Sequence, residues 1–592
     1  MVKKIARLLY GVGLVALTTA QGYQNASMTS SGYMTATSNS TLTTTVALNV
    51  DDLWDLLVGP ASSAATTTTV SPTPVPSQDL IPPPPLHYPS FPSGQRIIPE
   101  TKNESWSFPK DFWWGVASAA FQVEGAVRDE GRGPSNWDRL TRVPGYISDN
   151  NTADIGDNNY YLYKQDIVRL AALGVKAYSF SLSWSRILPF GRGPINQQGI
   201  DHYNDVINTC IQYGLIPQVT LYHWDTPLYL EDLYGGWLSE QIVPDFVDYA
   251  RIAYQAFGDR VKYWFTVNEP IVFCSRYPYP AQYFKNFTIP TKQAPFHCGQ
   301  SVLLAHSQAY HLGKSLVPDS VISYKNNGGQ LNEHGISTKA SLATLLPSPS
   351  ITPLTSIPGW FSDPIFLTGD YNANVKSYVS TFLRPFTSSE QQLILGSADY
   401  YAHDAYTSQF YFAPDAGIPS CLANASDPLF PTCANTSYTY APSSGGWLIG
   451  PAADPTAPWL HKATDWVPAF LHYLQDTWIT ASPTNASGVA VTEFGFAEPF
   501  ENSKTLRQDI LTDPLRTSYF HDYMRALLLA MSEGVEVIGT LAWSFVDNYE
   551  WQTGYQGRFG LQYVNFSDPA RPRYYKASFF EYVNAFEVYQ EK

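Results

Sequence analysis

The stretch Tyr263-Trp264-Phe265-Thr266-Val267-Asn268-Glu269-Pro270 changes abruptly from apolar to polar. Its β-branched and aromatic residues favour a buried strand, and the proline, which has no backbone N–H, marks where strand pairing ends. The stretch therefore predicts a strand that delivers Asn268 and Glu269 at its C-terminal end. A glutamate rarely lies in such a place without a partner or a task. Because an ordinary ion pair would also explain a lone carboxylate, the ends of the other strands decide between the two interpretations.

Seven further strand-like runs recur along the chain and alternate with helical patterns. The eight predicted strands span 112–120, 175–184, 216–223, 261–267, 321–324, 399–406, 489–492 and 537–545. The helical patterns span 160–173, 200–213, 244–257, 298–316, 466–477 and 514–532. This alternation predicts an α/β fold, a (β/α)8 TIM barrel, over an open doubly wound sheet. The segments 328–398 and 412–468 predict long loop insertions on the C-terminal face, where they would shape a substrate pocket.

Polar and aromatic residues stand at or just beyond the C-terminal ends of several predicted strands. These residues are Gln122, His223, Trp224, Asn268, Glu269, Glu493, Trp543, Glu550 and Trp551. In a barrel these ends meet on one face, which is where barrel enzymes have their active sites.

Two glutamates on separate strands, Glu269 and Glu493, would face each other across this end of the barrel. Cleavage of a glycosidic bond needs such a pair, because one carboxylic acid protonates the leaving oxygen while one carboxylate attacks or activates water. Tryptophan rings suit the apolar faces of a sugar, and amides and carboxylates suit its hydroxyls. No glycine-rich phosphate loop and no Ser/His/Asp order competes for these positions.

The composition excludes several other classes of function. Aromatic residues make up 15% of the 592 residues, and the net charge is −15 with a pI near 5.2. A phosphate backbone demands clustered lysine and arginine, so we expect no nucleic-acid partner. No Cys/His spacing indicates a metal site, and no motif indicates a cofactor. The sequence gives no indication of an oligomeric state.

The N-terminus predicts export. Lys3, Lys4 and Arg7 precede the apolar run 8–17, which ends at the small-residue pattern before Ala20. This is the pattern of a signal peptide over residues 1–20, and it is too short to cross a bilayer. We expect no membrane span elsewhere and therefore a secreted protein, extracellular or associated with the cell wall.

Residues 21–100 are rich in Ser, Thr and Pro and predict a disordered, O-glycosylated leader before a catalytic domain over 101–592. The apolar patch 53–58 is the exception, because it could form a helical turn that docks. Nine N-glycosylation sequons agree with export. They are at Asn25, Asn39, Asn103, Asn150, Asn286, Asn424, Asn435, Asn485 and Asn565.

The chain has five cysteines, so at least one is free or paired outside the chain. Cys421 and Cys433 bracket a short loop and are the predicted disulfide. Cys274 with Cys298 is the second candidate pair. Cys210 lies within a helical pattern and is predicted to be a buried thiol.

Several longer motifs resemble those of glycoside hydrolase family 1, the β-glucosidase family of retaining (β/α)8 enzymes. In chain order they are FWWGVASAAFQVEG (112–125), SLSWSRILP (181–189), YHWDTP (222–227), TVNEP (266–270), GWFSDP (359–364), TEFG (492–495), WSFVDNYEW (543–551) and RFGL (558–561). They cover the chain from 108 to 585 in the family's order.

The resemblance implies roles by position. Glu269 resembles the acid/base, Glu493 the nucleophile, and Tyr406 the tyrosine that hydrogen-bonds the nucleophile. The residues that resemble the sugar-binding set are Gln122, His223, Trp224, Asn268, Trp543, Glu550 and Trp551. Glu269 argues against a thioglucosidase, which lacks the acid/base. Glu550 argues against an enzyme for 6-phosphorylated sugars, because a carboxylate repels phosphate.

Three positions depart from the family's pattern close to the nucleophile: Ser179 replaces an arginine, Asp404 an asparagine, and Phe494 the asparagine that follows the nucleophile. A cation near Glu493 would keep it ionised, so its loss together with the additional acid predicts a raised pKa. Strand alternation points Phe494 away from the site.

The resemblance implies a retaining exo-β-glycosidase, most specifically a β-glucosidase that hydrolyses terminal β-D-glucosyl residues. Two alternatives stay open at this point. The three departures also fit a catalytically silent or weakened sugar-binding member. A transglycosidase would use the same residues as the hydrolase.

Overall fold

The computed structural model describes most of the chain from residue 106 onwards and parts of the N-terminal region. The described residues are 23–28, 33–38, 43–64, 69–84, 106–275, 289–327, 359–412, 414–417, 420–421, 423–424, 426–429, 435–439 and 446–592. The predicted signal peptide and the sequons at Asn39, Asn103 and Asn286 lie outside these ranges.

A closed barrel of parallel strands forms the centre of the described chain. The strands are β1 Trp113–Ala117, β2 Ala177–Ser181, β3 Ile216–Tyr222, β4 Tyr263–Asn268, β5 Val321–Asn327, β6 Tyr401–Asp404, β7 Val489–Phe494 and β8 Val537–Trp543. Each strand pairs with its neighbour in sequence, and β8 closes on β1. All eight predicted strands are confirmed, as is the (β/α)8 fold class.

Helices surround the barrel and return the chain from the end of one strand to the start of the next. The main ones are α1 Asn159–Ala172, α2 Gln197–Gln212, α3 Ile242–Phe257, α4 Ala294–Leu316, α5 Ser388–Ile394, α6 Val467–Leu474, α7 Pro514–Ser532 and α8 Ala577–Tyr589. Their inward faces pack on the outside of the strands in one hydrophobic core. The strands are buried on both faces, which is why they read as continuous apolar runs.

Shorter elements occupy the connections. The remaining α-helical segments are Val50–Leu57, Ala120–Val123, Asn136–Leu140, Trp184–Ile187, Leu228–Tyr234, Pro270–Ser275, Gly359–Ser362, Ala373–Val379 and Arg507–Leu511. The remaining strands are Tyr23–Met28, Tyr33–Ser38, Thr43–Ala47, Phe410–Phe412, Asn435–Ser437, Gln562–Val564 and Arg573–Tyr575. Among the described residues, no helix has the length and apolar character needed to cross a membrane.

Part of the leader, residues 48–64 and 69–84, contacts the catalytic domain, and helix Val50–Leu57 overlaps the patch 53–58 that was expected to be able to dock. Helix Val50–Leu57 begins at an Asn49 capping box and buries Leu53 and Trp54 completely. The indole Nε1 of Trp54 donates to the carbonyl oxygen of Arg132 at 2.8 Å. The two buried residues belong to the apolar patch 53–58, the part of the leader for which docking was expected to be possible.

Downstream contacts continue the docked segment along the catalytic domain. The backbone N–H of Ser62 donates to Asp154 at 2.8 Å, and that of Val70 donates to the carbonyl oxygen of Tyr161 at 3.0 Å. Asp79 lies 3.8 Å from Arg169 of α1. The folded unit therefore includes residues well before the predicted start at 101.

The cysteines follow the predictions in part. Cys274 and Cys298, the second candidate pair, form a disulfide. Cys421 is also disulfide-bonded, and its predicted partner Cys433 lies outside the described residues. Cys210 is a buried free thiol, as expected.

Removal of the Trp54 side chain tests the docking of the leader. Truncating a buried tryptophan costs about 3–5 kcal/mol, so Trp54→Ala is expected to release the segment from the barrel. Limited proteolysis should then cleave between residues 48 and 84 much faster than in the wild type. Ile81→Ala is the matched control, because Ile81 is 69% exposed and its truncation should change nothing. Equal protease resistance of Trp54→Ala and the wild type would contradict the docking.

Candidate active site

Four neighbouring strands bring the acidic residues of the site together with a lysine. Strands β4 to β7 are adjacent in the barrel, and in their register Asn268 pairs with Lys325, Asn327 with Asp404, and Asp404 with Glu493. Glu269 follows β4 directly, at a positive φ of 44°. The carboxyl ends of these strands therefore place Glu269, Lys325, Asp404 and Glu493 side by side.

The predicted pair of glutamates is close enough for direct cooperation. One carboxylate oxygen from each of Glu269, Asp404 and Glu493 lies within 4.8 Å of the others. Retaining glycosidases hold their two carboxyl groups about 5–5.5 Å apart, whereas inverting ones need about 6.5–9.5 Å to admit a water. The arrangement favours direct attack by one carboxylate.

Glu493 is buried and has a donor on each oxygen. Lys325 Nζ lies 3.1 Å from Oε1, and the hydroxyl of Tyr406 donates to Oε2 at 2.9 Å. Burial raises the pKa of Glu493, while the charge and hydrogen bond of Lys325 and the hydrogen bond of Tyr406 oppose that rise. The expected hydrogen bond between Tyr406 and Glu493 is present.

Lys325 corrects the expectation that no cation lies near Glu493. It lies on β5 with its side chain 1% exposed, and its Nζ lies 3.1 Å from Glu493 Oε1. Ser179 stands on β2, and its buried Oγ has no hydrogen-bond partner among the described residues. The positive charge beside the nucleophile thus comes from a different strand.

The structure also shows what Asp404 and Phe494, the other two departures from the family's pattern, contact. Asp404 accepts a hydrogen bond at 2.7 Å from the Thr492 hydroxyl, and burial together with the charge of Glu493 raises its pKa well above the usual range. Phe494 points outward, as alternation predicts, and stacks on Tyr523 of α7 with ring centroids 4.3 Å apart.

Glu269 lies at the edge of the group and receives a hydrogen bond from the side-chain amide of Asn327. Its backbone N–H donates to the carbonyl oxygen of Lys325 at 2.8 Å. Only 7% of Glu269 is exposed, so the carboxyl is almost entirely enclosed and opens onto the cavity. This placement suits a group that exchanges a proton with a bound molecule.

Two hydrogen-bonded pairs form the polar wall of the site. Gln122 Nε2 donates to Glu550 at 3.2 Å, and Asn268 Nδ2 lies 3.1 Å from His223 Nε2. Gln122 Oε1 and Asn268 Oδ1 are buried and have no hydrogen-bond partner among the described residues. Such groups are costly unless a ligand completes them, and sugar hydroxyls could do so.

The electrostatics of this wall follow from burial. Burial, and after it the charge of Glu493, raises the pKa of Glu550 to about 8. Burial also holds the pKa of His223 well below its usual range, and the charge of Lys325 acts in the same direction. His223 is therefore neutral at ordinary pH and can both donate and accept hydrogen bonds.

Aromatic residues complete a cavity of about 360 Å³. Trp551 packs against Trp224 with ring centroids 4.6 Å apart and the rings tilted by 32°. Trp543 also lines the cavity. Towards the opening, Trp459 and Phe559 are stacked 6.2 Å apart. The predicted residues on the cavity surface are His223, Trp224, Glu269, Tyr406, Glu493, Trp543, Glu550 and Trp551. Gln122 and Asn268 join it through their hydrogen bonds.

Comparison with known proteins agrees with this geometry. The sequence profile described as glycosyl hydrolase family 1 matches residues 104–590. The chain belongs to glycosyl hydrolase family 1. It is an O-glycoside hydrolase of the β-glucosidase family.

Relatives of this family 1 chain cover nearly all of its catalytic domain. Beta-glucosidase 34 of Oryza sativa subsp. japonica is 36% identical over 500 residues, which is 80% of this chain and 91% of the relative. The crystal structure of a β-glucosidase from Trichoderma harzianum superposes with a TM-score of 0.72 at 32% identity, covering 83% of this chain and 100% of that one. A rice β-glucosidase mutant in a covalent complex with glucose has a TM-score of 0.71 at 32% identity, with coverage of 81% and 99%.

Sequence reasoning missed four residues of this family 1 site, namely Lys325, Asn327, Trp459 and Phe559. The predicted fifth strand ended at Tyr324, whereas β5 continues to Asn327. A lysine directly after a buried strand was the available signal. Trp459 lies in an insertion without a periodic pattern, so its place in the cavity could not be predicted.

The Tyr406 hydrogen bond is tested by Tyr406→Phe. Hydrogen bonds to charged groups contribute about 1.5–3 kcal/mol, so kcat/KM towards an aryl β-glucoside should fall about 10- to 100-fold. Tyr310→Phe is the matched control, because its hydroxyl donates at 2.7 Å to Asp399, which precedes β6 at the opposite end of the barrel. Unchanged kcat/KM in Tyr406→Phe would contradict the proposed contact.

Proposed function

We propose that this chain is a secreted retaining exo-β-glucosidase that removes terminal, non-reducing β-D-glucosyl residues. The observation that carries the proposal is the approach of Glu269 and Glu493, whose carboxylate oxygens lie within 4.8 Å. That separation fits a double displacement, in which the enzyme itself provides the first nucleophile.

In the first step, Glu493 forms a bond to the anomeric carbon as the bond from that carbon to the aglycone oxygen breaks. Glu269 gives its proton to the leaving oxygen, so the aglycone departs as an alcohol. In the second step, water attacks the anomeric carbon and gives its proton to Glu269, while the bond to Glu493 breaks. Both carboxyl groups then return to their initial protonation states.

The polar wall supports binding of a single terminal sugar. Gln122 with Glu550, and Asn268 with His223, offer paired donors and acceptors at one end of the cavity. Trp543 supplies a flat surface beside them, which suits the apolar face of a glucose ring. The names of the relatives, all β-glucosidases among those compared above, support glucose as the sugar.

The structure also weakens the reason for considering a catalytically silent protein. That alternative depended on Ser179, Asp404 and Phe494, and for the first of these Lys325 provides a cation 3.1 Å from Glu493. The covalent glucose complex of the rice relative further supports a glycosyl-enzyme intermediate in this family.

Covalent trapping with 2,4-dinitrophenyl 2-deoxy-2-fluoro-β-glucoside separates the two roles. The wild type should gain one fluoroglucosyl group on Glu493, visible by peptide mass spectrometry. Glu493→Gln should gain none and should lose at least about 10⁴-fold in kcat, because it has no nucleophile. Glu269→Gln should still be labelled, because dinitrophenolate leaves without a proton.

Two results would contradict these assignments. Labelling at a residue other than Glu493 would remove it as the nucleophile. Undiminished turnover of an ordinary alkyl β-glucoside by Glu269→Gln would remove Glu269 as the proton donor. Each Glu→Gln substitution replaces only one oxygen by nitrogen, so the fold should be kept. Circular dichroism of each variant checks this.

Secretion is supported by the signal-peptide pattern over 1–20 and by sequons in exposed positions. Among the described residues, Asn150, Asn424, Asn435 and Asn485 are exposed. Expression of the full chain in a eukaryotic host should give a medium-borne protein that begins near residue 21 and loses mass on enzymatic removal of N-glycans. Retention inside the cell with an intact Met1 would contradict secretion.

A further inference from the structure

Lys325 forms an ion pair with the carboxylate of Glu493. Its Nζ lies 3.1 Å from Glu493 Oε1. The same Nζ lies 5.0 Å from the centre of the Phe265 ring, which is within the range of a cation–π contact. Its side chain is 1% exposed and that of Glu493 is 3% exposed. A buried lysine against a ring and a carboxylate has little freedom to turn elsewhere.

Acidic groups surround this lysine from several elements. Glu269 follows β4, Asp404 ends β6, Glu493 lies on β7 and Glu550 follows β8. The neutral hydroxyls nearby come from Tyr406, Thr492 and, on α7, Tyr523, whose hydroxyl donates to the carbonyl oxygen of Ala405 at 2.8 Å. One cation therefore lies among several carboxyl groups, and the carboxyl group with which it pairs is the one that stays charged.

The hydrogen bonds favour Glu493 over Asp404 as the charged group. Both oxygens of Glu493 receive a donor, one of them cationic. Asp404 receives only the Thr492 hydroxyl on Oδ1, and its buried Oδ2 has no hydrogen-bond partner among the described residues. A carboxylate needs donors when it is buried, whereas a carboxylic acid needs fewer.

We propose that Lys325 is a positioning residue that keeps Glu493 ionised and aimed at the anomeric carbon, while Asp404 remains a neutral carboxylic acid. This inference rests on the proposed function, because it takes Glu493 as the nucleophile. Lys325 acts through Glu493 and performs no step itself. In this chain Lys325 on β5 supplies the positive charge beside Glu493. Position 179 on β2 is occupied by a serine, which is neutral.

The direction of the pKa changes agrees with this distribution. Burial raises the pKa of Glu493, and Lys325 opposes that rise. The pKa of Asp404 is raised further, by burial and then by the charge of Glu493. Both directions fit a charged Glu493 beside a neutral Asp404, as the hydrogen bonds indicate.

The test measures the rate of covalent labelling by the fluoroglucoside against pH. Labelling needs ionised Glu493, so its rate is lost as the pH falls through the pKa of Glu493. Lys325→Met should raise the midpoint of this acid limb by about 1–3 pH units, because an opposite charge is removed. Lys325→Arg should restore the midpoint to within about half a unit, since a cation is again present.

Lys314→Met is the matched control, because Lys314 pairs with Asp399 at 3.0 Å near the opposite end of the barrel. It removes a lysine–carboxylate pair that is partly exposed and distant from Glu493, and it should leave the midpoint unchanged. Asp404→Asn should also leave it unchanged, because an amide replaces a neutral acid of the same shape. Thermal denaturation of every variant monitors folding independently of the midpoint.

Three results would overturn the inference while label still appears on Glu493. These are an unmoved midpoint in folded Lys325→Met, failure of Lys325→Arg to restore it, and a midpoint lowered by more than about half a unit in Asp404→Asn. The last would show that Asp404 holds the charge. Label on another residue would instead overturn the proposed function, so the two failures are distinguishable.

Discussion

The buried ion pair between Lys325 and Glu493 is the interaction on which the chemistry of this barrel depends. A carboxylate enclosed by protein tends to take up a proton, and a protonated Glu493 cannot attack an anomeric carbon. Two opposite unit charges about 4 Å apart attract by about 4 kcal/mol at an effective dielectric constant of about 20. A carboxylate beside Glu493 would repel it by a similar amount, so one lysine can compensate one neighbouring charge but not two.

The barrel explains how a cation on one strand can replace a cation on another. All eight strands end on the same face, so several positions surround the nucleophile at similar distances. In this chain Lys325 on β5 carries the charge beside Glu493 on β7, and Ser179 on β2 is neutral. The requirement is one positive charge beside Glu493. Side chains on more than one strand can provide it.

Periodicity and strand-end chemistry predicted the eight strands, the two glutamates at one end of the barrel and most of the polar wall, whereas Tyr406 was implied by the resemblance to family 1. They failed where a contact joins distant parts of the chain. The place of Lys325 directly after the predicted fifth strand was a local signal, but it does not show which carboxylate the lysine reaches, because the register of β5, β6 and β7 is a property of the closed barrel. The apolar patch 53–58 was expected to be able to dock, but its partner Arg132, 78 residues away, could not be predicted for the same reason.

Neutron crystallography of the protein at a pH where it hydrolyses glucosides would locate the protons directly. The ion pair predicts three deuterons on Lys325 Nζ, none on Glu493 and one on the Asp404 carboxyl group. A deuteron on Glu493 beside a neutral Lys325 amine would contradict the account, because the nucleophile would then lack its charge in the resting enzyme.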